Sequence, residues 1–230
     1  MFSELARKFT AAFITENRWQ LYIKGLGVTL EVSIFAAIIG ILLGTVLALM
    51  KLSEREDGKK SILNTIATVY VDIIRGTPSV LQLLIMWFIV FSTFNNGIIV
   101  SSISFGLNSA AYVSEIVRAG ILAVDRGQTE AGRSIGMSKA MTMRYIVLPQ
   151  ALKNIIPPLG NEFITLLKET AIVGYVSLTD LTRAANMIAS RTYEAFMPLI
   201  GAAVIYFVVI KLLTILLAHV ERRLRASDKR

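Results

Sequence analysis

Carboxylates inside otherwise apolar segments are the side chains of this sequence with the most evident chemical potential. Two polar stripes contain them: Asn108, Tyr112 and Glu115 in the first, and Glu162, Thr165 and Glu169 in the second. Spacings of three and four residues put each stripe on one face of a helix. An ionisable residue at mid-bilayer costs about 2.5–3.5 kcal/mol, so it usually faces protein, water or a ligand. Two facing stripes would suit a zwitterion whose amino group seeks carboxylates.

The same charges have a structural alternative. The carboxylates could pair with one another, with Arg118 or with charges across a dimer interface, since buried charges are commonly paired. Lys168 lies off the second stripe and need not neutralise either glutamate. Asp72 and Arg75 are better interpreted as a structural pair or a gate at the cytoplasmic side.

Residue types exclude most enzyme chemistry. The 230 residues contain no cysteine and one histidine, His219, near the C-terminal end. Neither a Ser-His pair nor a histidine-rich metal site can therefore be assembled at mid-membrane. We expect no catalytic residue and no metal ligand, which argues against an intramembrane enzyme.

A polar, amphipathic segment interrupts the apolar sequence at residues 129–149, TEAGRSIGMSKAMTMRYIVLP. Thr129 is a candidate cap for a short helix around 129–143. Gly132 and Gly136 are four residues apart, which predicts a helix face with little side-chain bulk that another surface could approach closely. Pro149 is expected to start a new chain direction. The segment could lie on lipid headgroups or dock a cytoplasmic partner.

Long apolar runs predict the elements that carry these residues. The sequence is 54% hydrophobic, with a mean hydropathy of +0.62, which is typical of a polytopic membrane protein. Five spans are expected, at 32–50, 78–94, 100–122, 150–178 and 195–220. A helix at 61–75 should extend the second span through a bend at residues 76–78, and FNNG at 94–97 should separate the second and third spans. Residues 1–20 predict an amphipathic helix on the bilayer surface.

The distribution of lysine and arginine predicts the orientation. Fifteen lie in the 51–60 turn, the 118–153 region and the 221–230 tail, against six on the opposite side. By the positive-inside rule the N-terminus is outside and the C-terminus cytoplasmic, so the amphipathic segment faces the cytoplasm.

The amphipathic segment resembles the EAA loop of the membrane subunits of ATP-binding-cassette (ABC) importers. The family pattern is Glu-Ala-Ala, three residues, Gly, nine residues, Ile-x-Leu-Pro, and this chain departs from it only at Gly132, where alanine is usual. The resemblance implies a coupling helix in a cleft of the ATPase subunit. The residues expected to make that contact are Glu130, Ala131, Gly132, Gly136, Met137, Ile146, Leu148 and Pro149.

Further stretches, among them RGTPSVLQL at 75–83 and LPQALKNIIPPLGNEFITLLKETA at 148–171, resemble polar amino-acid permeases of the histidine/arginine/glutamine type. The resemblance implies an all-α membrane protein with the five-helix (MetI-like) ABC importer core. It divides the chain into an N-terminal amphipathic segment at 1–20, a permease domain at 21–224 with its EAA loop at 127–149, and a cytoplasmic tail at 225–230. The resemblance implies a polar amino acid as substrate and a prokaryotic inner membrane as location. The acidic residues of the two stripes favour a cationic amino acid.

The implied partners are a dimer of cassette ATPase subunits inside, a second permease copy or paralogue, and an amino-acid-binding protein outside. No Gly-x-x-x-x-Gly-Lys-[Ser/Thr] phosphate loop occurs in the sequence, so ATP and magnesium are expected in the partner ATPase and no cofactor on this chain. No nucleic-acid partner is expected. The rival reading is a channel-like pore or a secondary transporter, which would use the intramembrane carboxylates but would not need a docking helix.

Overall fold

Helices form the regular structure of the chain. The computed structural model describes residues 2–53 and 61–226. In chain order, the α-helices of this part are α1 (Phe2–Phe9), α2 (Trp19–Leu52), α3 (Ile62–Arg75), α4 (Ser79–Ile85), α5 (Gly97–Leu122), α6 (Arg126–Ser134), α7 (Lys139–Thr142), α8 (Leu148–Glu169), α9 (Leu181–Thr192) and α10 (Phe196–Ala226). Most of the predicted turn at 51–60 and of the predicted tail at 225–230 lies outside the described residues, as does Met1. The expectation of an all-helical fold is confirmed for the part described.

The apolar runs become helices long enough to cross a membrane. Helices α2, α5 and the 196–224 part of α10 each meet the length and apolarity expected of a span. Helix α3 and the helical stretch 79–90 meet it together as one bent pair. Helix α8, the predicted fourth span, has 22 residues but is too polar to meet the same standard. The count of five spans therefore stays a prediction where α8 is concerned.

The bend predicted at residues 76–78 is confirmed. Helix α3 ends at Arg75, with Gly76 as its C-cap, and α4 starts directly after Pro78. The two helical directions differ by 103° across this break. Proline supplies no backbone N–H and disfavours a helical residue before it, so a helix cannot continue through this point.

Two predicted spans are longer than their helices. The second span is expected at 78–94, but the helical chain after Pro78 ends at Val90 with the π-helical turn Met86–Val90. The fourth was placed at 150–178, but α8 gives way after Glu169 to the 3₁₀ turn Thr170–Val176. The predicted break at 94–97 is confirmed, because α5 begins at Gly97.

The chain divides into two compact units. The first comprises residues 1–38, 78–106 and 164–213. Its main cluster of buried apolar side chains consists of Val32, Ala36, Leu83, Phe105, Leu166, Val173 and Val176. A second cluster joins Tyr22 to Leu181, Ala185, Ile188 and Ala202, which anchors α9 against the start of α2.

The second unit comprises residues 39–77, 107–163 and 214–230. Its buried cluster consists of Ala48, Val113, Val117, Ala151 and Ile155. Gly44 of α2 lies so close to α5 that an added Cβ would sit 2.7 Å from the Val113 Cβ and 2.8 Å from the Ala110 carbonyl oxygen. This close approach positions the C-terminal end of α2 beside α5, which matters for the ion pairs described below.

The N-terminal segment is not the single helix expected for residues 1–20. Helix α1 ends at Phe9, a π-turn covers Thr10–Ile14, and Glu16 and Asn17 take positive φ values of 55°. Such values are uncommon for residues other than glycine, and they interrupt the helical chain before α2. Lys8 Nζ lies 2.9 Å from Glu194 Oε2, so an ion pair ties α1 to the turn before α10.

Candidate functional site

The amphipathic segment begins earlier than the sequence predicts. Helix α6 starts at Arg126, and its cap is Asp125, whose carboxylate accepts a hydrogen bond from the Gly127 N–H at 2.7 Å. The prediction of Thr129 as the cap is wrong, because that residue already lies inside the helix. Asp125 is as good a capping residue as threonine, and it satisfies an N–H that the first helical turn leaves without a partner.

A sharp break divides the segment into two helices, where one helix was predicted around 129–143. Gly136 adopts φ = +85° just after α6, a conformation that glycine takes without steric cost. Ser138 then caps α7, accepting from the Met141 N–H at 3.2 Å. Gly136 is exposed, with open space where a Cβ would be.

Gly132 and Gly136 do not share a bare helix face, so that part of the prediction is wrong. Gly132 is buried, and an added Cβ would lie 2.8 Å from Ile146 Cδ1 and 2.9 Å from Thr142 Cγ2. Its missing side chain therefore lets α6 pack onto the chain that follows it. The contact of α6 with Thr142 and Ile146 therefore fixes the orientation of α6 relative to residues 139–147.

The outer surface of the segment is left exposed by this packing. Glu130 and Ala131 are exposed, and Ile135 at the end of α6 is 78% exposed. Met137 is half-buried, and its carbonyl oxygen accepts a 2.7 Å hydrogen bond from Arg133 Nη1. An apolar side chain held in the open by a rigid turn is suited to contact a partner surface.

Pro149 does not start a new direction, contrary to the prediction. It lies in the first turn of α8, and the chain is helical without interruption from Lys139 to Glu169. The π-turn Met143–Val147 precedes it, and its last bond runs from the Leu148 N–H to the Met143 carbonyl. A wider turn at this point accommodates a residue that cannot donate a helix hydrogen bond. Leu148 is exposed and Ile146 half-buried, so the second half of the predicted contact set leads directly into α8.

Glu115 of the first polar stripe lies among cations. Its Oε1 accepts from Lys51 Nζ, and its Oε2 accepts from Arg118 Nη2 at 2.8 Å. The side chains of Lys51 and Glu115 are 12% and 23% exposed, so the pair is largely withdrawn from solvent. These contacts favour the structural alternative for Glu115, and its predicted role in substrate binding is not required to explain its position.

Tyr112 and Asn108, on the same stripe, have different surroundings. The guanidinium carbon of Arg75 lies 5.3 Å from the centroid of the Tyr112 ring, within the range of a cation–π contact. Arg75 therefore contacts the first stripe, whereas Asp72 is exposed. Asn108 is buried, at 4% exposure.

Glu162 of the second stripe accepts a hydrogen bond from Ser109. The distance from Ser109 Oγ to Glu162 Oε1 is 2.9 Å, and the serine is buried within α5. This contact joins the two helices that carry the predicted stripes. Thr165 is exposed, and Glu169 half-buried, farther along α8 in the first compact unit.

Two residues of this arrangement were not predicted. Lys51 counts in the sequence only as a charge of the 51–60 turn, yet it is the partner of Glu115, 64 positions away. Ser109 lies next to Asn108 and carries no signal beyond being polar in an apolar run. No periodicity within one helix could have revealed either contact. In the described residues, no group of three or more His, Cys, Asp or Glu side chains could hold a metal ion.

Comparison with known proteins gives a consistent result. The family model described as "Binding-protein-dependent transport system inner membrane component" matches residues 40–226. The chain is 43% identical over 209 residues to the arginine transport system permease protein ArtQ of Bacillus subtilis, covering 90% of this chain and 93% of that one. It is 41% identical over 212 residues to a protein of Rickettsia bellii named as a glutamine transport system permease, covering 89% and 93%.

A solved structure is similar over most of its length. The crystal structure of an amino acid ABC transporter with histidines aligns with a TM-score of 0.80 at 46% identity, covering 89% of this chain and 94% of that one. The expected fold class, the all-α membrane core of ABC importer permeases, is thereby confirmed.

Proposed function

This chain belongs to the family of binding-protein-dependent transport system inner membrane components and is the permease subunit of an amino-acid ABC importer; from that premise we propose that residues 126–149 couple substrate uptake to ATP hydrolysis. It is a transport subunit and not an enzyme, since the ATPase of such an importer is a separate subunit. It resides in the inner membrane as a multi-pass protein.

One observation carries the coupling proposal: the segment combines a packed inner side with an exposed outer side. At Gly132, α6 packs closely against Thr142 and Ile146, while the side chains of Glu130 and Ile135 are exposed. Helix α6 contacts Thr142 and Ile146, and helical structure continues without interruption from Lys139 into α8. A displacement of α6 by a partner would therefore displace α8 as well. Movement of a cytoplasmic subunit would thus reach the helix that carries Glu162.

The assembly implied by this role has three kinds of partner. We propose a dimer of cassette ATPase subunits on the exposed side of α6, where ATP and magnesium would bind. A second permease copy or a paralogue would complete the path, and a binding protein would deliver the amino acid on the other side. The predicted orientation, with the N-terminus outside and the C-terminus cytoplasmic, belongs to the same proposal.

The substrate is proposed to be a polar, cationic amino acid such as arginine, lysine or histidine. The relative from Bacillus subtilis is named for arginine and the relative from Rickettsia bellii for glutamine, so the family includes both charged and neutral substrates. Glu162 is the residue of the two stripes that we favour as a contact for the substrate cation. Its carboxylate accepts a hydrogen bond from Ser109 of α5, so Glu162 lies where the two helices that carry the stripes meet, whereas Glu115 faces Lys51 and Arg118.

The proposal is tested at Gly136. Gly136→Leu should abolish transport-coupled ATP hydrolysis while membrane insertion persists, because a bulky side chain would occupy the exposed break and strain φ = +85°. Gly136→Asn is the matched control, since asparagine tolerates the left-handed conformation and adds less bulk. If Gly136→Leu retained its ATPase and wild-type coupled hydrolysis, this segment would not be the coupling contact.

A secondary transporter is the second candidate, and the intramembrane carboxylates are the observation in its favour. It predicts uptake driven by an ion gradient and unaffected by the loss of a phosphate-loop subunit. Purification of the chain with a phosphate-loop protein, and uptake that fails without ATP, would exclude it.

A further inference from the structure

A cavity of about 500 Å³ lies between the C-terminal end of α5 and the inner side of residues 126–149, which we call the coupling segment. It is bounded by α6, α7 and the π-turn before α8. The lining residues with apolar side chains are Ile121, Leu122, Val124, Met143 and Val147, and those with polar side chains are Arg126, Thr129, Arg133, Lys139 and Thr142. Arg126 and Arg133 of α6 and Lys139 of α7 supply what we call the cationic side, and Ile121 and Leu122 of α5 supply the apolar side.

The cationic side carries three positive charges. Among the residues that the structure describes, the ion pairs do not include Arg126, Arg133 or Lys139. The acids of the same segment are Asp125, whose carboxylate binds the Gly127 N–H, and Glu130, which is exposed. The balance of charge along the lining is therefore positive, and an anion would be stabilised there.

A buried hydroxyl adds an independent observation. Thr142 is 1% exposed and lines the cavity, and within the described chain its Oγ1 has no hydrogen-bond partner. Most buried side-chain polar atoms are satisfied, so this enclosed hydroxyl beside Gly132 lacks an acceptor that a ligand oxygen could supply. A phosphate oxygen is an acceptor that would also suit the three cations.

The apolar side of the cavity includes the end of a candidate membrane span. Leu122 is the last residue of α5, one of the helices long and apolar enough to cross a bilayer, and it is 58% exposed. A ligand with a phosphate at one end and a hydrocarbon chain at the other would therefore find both of its surfaces matched. Free phosphate would use only the cationic side.

We propose that this cavity binds the headgroup of an anionic phospholipid, with an acyl chain against Ile121 and Leu122. The site lies on the inner side of α6, so the outer side stays free for the ATPase. Because the lipid occupies the space under the coupling segment, it stabilises the position of α6 relative to α5. The proposal depends on the chain's membrane location and is independent of the coupling role.

Lipid binding to the full chain, purified in neutral detergent with its accompanying subunits, tests the proposal. Native mass spectrometry would be used to titrate phosphatidylglycerol, phosphatidylcholine and inorganic phosphate. Phosphatidylglycerol should bind at least tenfold more tightly than phosphatidylcholine. Lys139→Gln and Arg126→Gln should each weaken it about fivefold, the effect of one cation near an anionic headgroup. Thr142→Val should also weaken it, without lowering the melting temperature.

Arg144→Gln is the matched control. Arg144 lies on the same segment, is exposed with its guanidinium 5.6 Å from the Tyr145 ring centroid, and does not line the cavity. Equal loss of binding in this variant would show diffuse attraction to the basic surface and overturn the proposal. Inorganic phosphate binding as tightly as phosphatidylglycerol would overturn it too. So would loss of the ATPase subunit from the cavity variants in lipid-free detergent, which would assign the cations to an acidic protein partner.

Discussion

Glu115→Gln separates a structural role from a substrate role most sharply. In the structure the Glu115 carboxylate accepts from Lys51 and Arg118, and neutralising it leaves both cations without their counter-charge. Removing one partner of a buried ion pair destabilises a protein by about 3–5 kcal/mol. Because the Glu115 and Lys51 side chains are 23% and 12% exposed, we take the lower end, about 3 kcal/mol.

The expected change is measurable as a melting temperature. For a domain of 150–250 residues, 1 kcal/mol corresponds to about 2–4 °C, so Glu115→Gln should melt roughly 6–12 °C below wild type. The assay is thermal unfolding of the purified permease complex, beside transport at several substrate concentrations. Substrate affinity should be unchanged in whatever folded complex persists.

A second variant tests the cause of that loss. Lys51→Met combined with Glu115→Gln removes the most buried cation together with the carboxylate, so part of the lost stability should return. Asp72→Asn is the control for loss of an exposed carboxylate and should leave the melting temperature within about 1–2 °C of wild type. An unchanged melt for Glu115→Gln with a large loss of substrate affinity would refute the structural reading.

Four further outcomes are expected. Gly132→Ala should cost about 1 kcal/mol, because Ile146 Cδ1 is a movable side-chain end but the buried Thr142, with Cγ2 at 2.9 Å, must also shift. Gly132→Leu should cost about 3 kcal/mol and uncouple transport. Unfolding and ATPase assays measure both variants. Asp180 caps α9, so Asp180→Ala should lose about 1 kcal/mol in thermal unfolding while Asp180→Asn keeps the cap. Burial raises the pKa of Asp180, so wild-type stability should fall as pH rises through that pKa, and Asp180→Asn should remove the slope. A reporter at Asn95 should be external and one after Arg230 cytoplasmic; either reverse result would overturn the predicted orientation.

The positions of the long helices could be predicted because their causes are local. Apolar runs mark α2, α5 and α10, and the breaks at Pro78 and Gly97 follow from turn residues beside those runs. The predicted second and fourth spans are longer than the helices, since an apolar run does not reveal where a helix changes to a π-turn or a 3₁₀ turn. Resemblance to the EAA loop located the amphipathic segment, which periodicity alone left open between a lipid contact and a docking helix.

Contacts between distant positions could not be predicted in the same way. Gly132 packs against Thr142 and Ile146, ten and fourteen residues farther along the chain, so its helical spacing to Gly136 was misleading. Glu115 meets Lys51 through the close packing of α2 and α5, which no pattern within either helix encodes. The stripe containing Glu115 was therefore read correctly as polar, but the sequence could not decide whether its partner is a substrate or another side chain.

Cysteine cross-linking tests the central claim, contact between the coupling segment and an ATPase subunit, most directly. The chain contains no cysteine, so Ile135→Cys introduces a single reactive thiol at the exposed end of α6. With a short bifunctional reagent this variant should form an adduct with the phosphate-loop subunit, and nucleotide should change its yield. Asn95→Cys, which is also exposed and lies between the second and third predicted spans, should form none. An adduct from Asn95→Cys, with none from Ile135→Cys, would contradict the account.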